Sequence, residues 1–86
     1  MKITEDGYTL LDTQANSVSI IYVSGSLGGG TATLGYYDDT GFVALTEGAL
    51  TIGSQTEVRH GSGMQLFVHL TGAVTPSLIV LRKGIA

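Results

Sequence analysis

The side chains best equipped for chemistry in this chain are few, and most of them sit in turns. His60 and His69 are the only imidazoles. His60 stands in Arg59-His60-Gly61-Ser62-Gly63, which sets a base next to a hydroxyl. A nucleophilic serine needs a strained elbow, a base in hydrogen-bond reach and an oxyanion hole. The elbow spacing Gly-x-Ser-x-Gly is absent because glycines flank Ser62 directly, so the segment reads as a polar tight turn. His60, His69 and the pair Asp38-Asp39 are the residue types of a mixed zinc site, but no spacing ties them together. Asp38-Asp39 also lacks the alternating ligands of a calcium loop. Gly25 to Gly30 invites a phosphate-loop reading, which requires Lys-Ser/Thr and a helix after the glycines. Here Gly28-Gly29-Gly30 leads into Thr31-Ala32-Thr33-Leu34, a strand pattern. The seven acids show no pair placed across a cleft for glycoside hydrolysis. With no cysteine, thiolate catalysis, disulfides and cysteine-ligated zinc are excluded. The expectation is a protein that is not an enzyme and uses no metal and no cofactor.

The elements carrying these residues follow a period of two. In Ser17–Val23, the residues Val18, Ile20 and Tyr22 share one face, expected to be the inward one, and Ile21 and Val23 take the other. Ala32, Leu34 and Tyr36 align, with threonines opposite. Met64, Leu66, Val68 and Leu70 form the clearest stripe, with Phe67 and His69 behind it. Such alternation marks half-buried antiparallel strands. Ile, Val and Thr number 6, 7 and 11, a β-branched content that favours strands. Turn chemistry separates them: Asp6-Gly7, Gln14-Ala15-Asn16, Ser24 to Gly30, Asp38-Asp39-Thr40-Gly41, Glu47-Gly48, Gly53-Ser54, Gly61-Ser62-Gly63 and Thr71 to Pro76. The predicted fold is all-β: an antiparallel β-sandwich or jelly-roll-like barrel of seven to eight short strands. It forms one domain over residues 1–86, with 1–12 as an N-terminal arm or edge strand.

Composition narrows the function. Hydrophobic residues make up 43% of the chain and charged ones 13%, about half the usual quarter. A folded chain of this size keeps about 4,800 Å² of surface, so the core is small and part of the apolar content must remain outside it. Three of the four bases (Lys2, Arg82 and Lys83) lie near the chain ends. No basic stripe exists to neutralise phosphates, so nucleic acid is not an expected partner. The longest aliphatic runs, such as Leu78–Leu81, fall far short of the about 20 residues of a spanning helix, so no membrane is expected. Met1–Asp6 lacks the apolar core of a signal peptide. Low charge with abundant Ser and Thr fits a surface that meets another protein.

The stretch Leu27-Gly28-Gly29-Gly30-Thr31-Ala32-Thr33-Leu34-Gly35-Tyr36, followed by Asp39-Thr40-Gly41-Phe42-Val43-Ala44-Leu45, resembles small β-sandwich virion proteins of tailed bacteriophages. So does the ending Leu66–Val80. The resemblance covers about residues 17 to 82 and rests on turn-and-strand patterns. It implies a head decoration (cement) protein, head fibre or tail-attachment piece, with no catalytic residues to carry over. The expectation is a structural virion protein, a capsid decoration protein that oligomerises, with a trimer favoured, and stabilises the shell. Its partner would be the major capsid protein or another virion protein. It would be made in the host cytoplasm and reside on the capsid surface. The expected contact residues are Ile3, Tyr8, Tyr37, Phe42 and Phe67, with Arg82 and Lys83 pairing with acids of the partner. The alternative is a glycan- or host-surface-binding module of a fibre or tail, marked by aromatics converging on a loop-rimmed groove. A small metal enzyme would instead require His60, His69 and Asp38 or Asp39 to converge.

Overall fold

A computed structural model describes residues 1–12 and 15–85. Gln14, expected to open a turn, and Ala86, the end of the expected domain, lie outside the described residues. The described residues form eight strands: β1 (Lys2–Ile3), β2 (Gly7–Leu10), β3 (Val18–Ser26), β4 (Thr31–Asp38), β5 (Gly41–Leu50), β6 (Gln55–Arg59), β7 (Phe67–Thr71) and β8 (Ser77–Gly84). Among the described residues there is no helix. The strands make two four-stranded sheets, β1-β8-β3-β6 and β2-β7-β4-β5. The pairs β1·β8, β2·β7, β3·β6 and β4·β5 are nested and all antiparallel. The chain is thus one long hairpin of paired strands, bent at Asp38–Gly41 and wrapped into a sandwich. That order is the jelly roll.

The core is a single layer between the sheets. From β4 and β7 come Ala32, Leu34, Val68 and Leu70, and from β3, β6 and β8 come Ile21, Val23, Val58, Leu78 and Val80. The Met64–Leu70 stripe points inward as its alternation predicts.

On β3 the structure reverses the expected assignment from Ile20 on: Ile21 and Val23 are buried, and Ile20 and Tyr22 face outward, while Val18 at the strand's start is buried as expected. The reason lies in the neighbouring strand. Ile20 pairs with Glu57 and Tyr22 with Gln55, and directly paired residues share a face. Turning Ile20 and Tyr22 inward would drag a carboxylate into the core, at a cost far above that of exposing two apolar side chains.

Two boundaries also differ. β3 runs on to Ser26, past the expected loop start, because Gly25 pairs with Leu78. The turn expected at Glu47-Gly48 is a bulge inside β5. Thr33 pairs with Ala49 and Gly35 with Ala44, so Leu45–Gly48 stand opposite Leu34 alone. A Cβ at Gly48 would lie 2.4 Å from the Leu34 carbonyl oxygen, so only glycine allows this approach. Bulges of this kind bend a strand and sharpen its twist. They also keep an edge strand from pairing with another chain, and β5 is an edge.

The two stripes of β3 should respond differently to truncation. Ile21→Ala is expected to cost about 2–5 kcal/mol, and Ile20→Ala no more than about 1 kcal/mol, the worth of a cross-strand pair. Chemical denaturation of both variants checks this; equal losses would contradict the assignment of faces.

Candidate functional site

The buried hydrophobic side chains of the described residues are all aliphatic. The aromatic rings therefore lie at the edges or outside, and five rings gather on the outer face of the β2-β7-β4-β5 sheet. The strand register places them. Tyr8 pairs with His69, and His69 in turn with Thr33. Leu10 pairs with Phe67, and Phe67 with Gly35. Tyr37 pairs with Phe42 across the β4–β5 hairpin.

Tyr8 stacks on His69 with centroids 4.1 Å apart and planes 8° from parallel. Phe42 lies 5.2 Å from Tyr8 and 5.7 Å from both Tyr37 and His69. Tyr37 meets Phe67 edge to face at 4.8 Å. Aromatic pairs of these geometries contribute about 0.5–1.5 kcal/mol each beyond simple burial. Gly35 makes the packing possible: a Cβ there would lie 2.5 Å from the Phe42 ring, so the ring fills the hollow that glycine leaves.

Despite these contacts the face remains open to solvent. Tyr8 is 51% exposed, Tyr37 46% and Leu10 40%. The positions between the rings are Thr33, Ala44 and Ala49, and these rows contain no Asp, Glu, Lys or Arg. The acids Asp38, Asp39 and Glu47 belong to the hairpin tip and the bulge.

Four of the seven expected contact residues thus come together: Tyr8, Tyr37, Phe42 and Phe67. Leu10 and His69 complete the patch. Period two puts Leu10 on the face of Tyr8 and His69 on that of Phe67, so the signal was present once the pairing of β2 with β7 is known. Lys83 is exposed but belongs to the other sheet, on the outward stripe with Ile79 and Leu81.

Ile3 and Arg82 are corrected by their burial. Ile3 pairs with the inward Leu78 and is 4% exposed, so it belongs to the core. Arg82 follows Leu78 and Val80 on the inward stripe of β8 and is 7% exposed. It cannot pair with acids on a partner from there. Its Nε donates to Ser19 Oγ at 3.1 Å, Nη1 to the Asp12 carbonyl at 3.1 Å and Nη2 to the Met64 carbonyl at 3.2 Å. Burial pushes its pKa down from the ordinary arginine value, but a group this basic stays a cation at neutral pH.

The imidazole of His60 also belongs to this cluster. Its Nδ1 lies 2.9 Å from the Gly61 carbonyl oxygen, so that nitrogen carries the proton. Nε2 then accepts from Ser19 Oγ at 2.8 Å and from Arg82 Nη2 at 3.3 Å. A serine–histidine pair therefore exists, but with Ser19 and not the neighbouring Ser62, whose hydroxyl donates to the Ala15 carbonyl at 3.4 Å. Ser19 is fully buried. Its hydroxyl donates to His60 and accepts from both Arg82 and Asn16, the latter at 3.0 Å. Both lone pairs and the proton are committed, so this oxygen holds the end of the sandwich shut and has no free electron pair to attack a substrate.

The groups considered for a metal are not brought together. His69 lies on the aromatic face, His60 in the buried cluster and Asp38 at the hairpin tip, and among the described residues no three His, Asp or Glu side chains cluster. Asp38 accepts from the Thr40 hydroxyl at 2.6 Å and from the Thr40 amide at 2.7 Å, bonds that hold its carboxyl below the ordinary aspartate range.

Comparison with protein-family models, curated proteins and solved structures found no match to this chain.

Ser19→Ala should leave the Arg82 and Asn16 donors short of an acceptor and lower stability by about 1–3 kcal/mol. Denaturation of the variant measures this. A fluorophosphonate serine probe should leave the natural protein unlabelled; labelling at Ser19 would overturn the structural role given to it.

Proposed function

We propose that this protein is a non-enzymatic structural component that works by assembly, burying its aromatic sheet face against neighbouring protein. The observation that carries this reading is the gathering of Tyr8, Leu10, Tyr37, Phe42, Phe67 and His69 on one face whose paired rows hold no formal charge. Interface centres are rich in aromatics and poor in charge. Tyrosine also supplies large contact area at low conformational cost, having only two side-chain torsions to fix. The rings here are already packed on one another, so little of their freedom is left to lose on binding.

A standard contact buries about 800 Å² per partner, roughly a sixth of the 4649 Å² that the chain exposes. Two such contacts per chain, as in a trimer, would cover about a third and account for much of the apolar surface. The place proposed for this assembly is a virion, as a capsid decoration protein bridging neighbouring capsomers and so helping the shell resist internal pressure. Two things support that setting: the resemblance over residues 17 to 82, and an architecture that is used in viral capsid and lectin domains alike. Architecture alone does not define function, so the weight rests on the face. Lys83, exposed on the opposite sheet, is available to acids of the shell partner.

Replacing Tyr37 by Asp puts a charge in the centre of the face without touching the core. In sedimentation equilibrium the natural chain should run above its 8.9 kDa monomer mass. Tyr37→Asp should run as a folded monomer, and Ile52→Asp, a change at an exposed position in a turn, should behave like the natural chain. A natural chain that stays monomeric and binds no candidate shell would remove this reading.

A further inference from the structure

We infer that the cleft where β4 and β7 part is a binding site for a neutral saccharide ring. The β4–β7 ladder ends at Gly35↔Phe67. Beyond it, Tyr36 and Tyr37 continue along β4 in register with Val43 and Phe42 of β5. The segment entering β7 leans the other way, toward β2, where the Leu11 amide donates to the Leu66 carbonyl at 2.9 Å. The two strands diverge and leave a cavity of about 300 Å³ lined by Tyr36, Tyr37, Met64, Gln65 and Phe67. That is the lower end of the about 300–1,000 Å³ usual for ligand pockets.

The lining selects the class of ligand. It comprises two phenols, a phenyl ring, a thioether and a carboxamide, with no formal charge among them. A phosphate or carboxylate ligand would find no cation, and a metal ion no set of ligands. A wholly apolar ligand would leave the Gln65 amide and the tyrosine hydroxyls unused. A neutral sugar ring satisfies both halves of the lining. Its C–H face packs on aromatic carbon, and its rim of hydroxyls meets a carboxamide that both donates and accepts. Tyr37 and Phe67, edge to face at 86°, form an aromatic corner of the cleft. Tyr37 and Phe67 belong to both the cleft and the assembly patch, whereas Tyr36, Met64 and Gln65 line the cleft alone, so the sugar is expected to bind the unassembled chain.

The test is an amide NMR titration of the full chain with glucose, galactose, mannose and N-acetylglucosamine, and with disaccharides of each. At least one should give saturable shifts centred on Tyr36, Tyr37 and Gln65. Gln65 is exposed, so Gln65→Ala should fold normally, keep the sedimentation behaviour of the natural chain and bind that sugar about tenfold more weakly, equivalent to about 1.4 kcal/mol. Shifts that fail to saturate, that fall away from the cleft, or that are unchanged in Gln65→Ala would overturn the assignment. Because Gln65→Ala spares the aromatic patch, loss of sugar binding and loss of assembly are read separately.

Discussion

The rest of the structure depends on one constraint: strands have two faces, and this chain has a single layer of interior to offer them. Most inward positions are taken by aliphatic side chains, with Thr9, Thr56 and Tyr36 half-buried at the margins and the few polar groups of the Arg82 cluster at one end. Leucine, isoleucine and valine from the two sheets fill a layer between facing sheets about 10 Å apart. Larger rings would force the sheets apart or leave voids beside them. Most of the aromatics therefore go outward, where register collects Tyr8, Tyr37, Phe42 and Phe67 on one sheet, and much of the apolar surplus of the composition becomes a located surface.

The Arg82 cluster shows the same constraint at the open end of the sandwich. The inward stripe of β8 runs Leu78, Val80, Arg82, and the last position lies where the layer runs out. A guanidinium there reaches carbonyls of Asp12 and Met64 and the hydroxyl of Ser19, tying the ends of three chain segments together. An aliphatic residue at that position would take a donor away from each of these acceptors, which is costly where they are screened from water. The cluster contains a serine, a histidine and an arginine within hydrogen-bond distance, yet its closure makes it a seal.

Much of this fold was legible in the sequence. Period two in Met64–Leu70 and Ala32–Tyr36 marks strands and their inward sides correctly, and Asp38–Gly41 is the hairpin about which the whole chain is doubled. Phe67 and Tyr37 could be placed on an outer face because each sits out of phase with a strong aliphatic stripe. On β3 the same logic fails, because Ile20-Ile21-Tyr22-Val23 is apolar on both faces and only the pairing with Glu57 and Gln55 decides. Ile3 is misplaced for a related reason: its burial comes from Leu78, a partner far along the chain. Arg82 reads as a surface charge until β8 is known to turn that position inward. The bulge at Leu45–Gly48 carries the same residues as a turn, and tertiary pairing alone separates the two. The serine partner of His60 lies 41 residues away, beyond any local motif.

The central claim is that the aromatic face is covered when the protein does its work, and side-chain footprinting tests it most directly. Hydroxyl radicals oxidise exposed rings and large aliphatic side chains. Tyr8, Leu10 and Tyr37 should be reactive in dilute protein and become protected in concentrated or shell-bound protein, whereas Ile52 and Val74, exposed away from this face, should react equally in both. Unchanged reactivity of Tyr8 and Tyr37 across all assembled states would contradict the account.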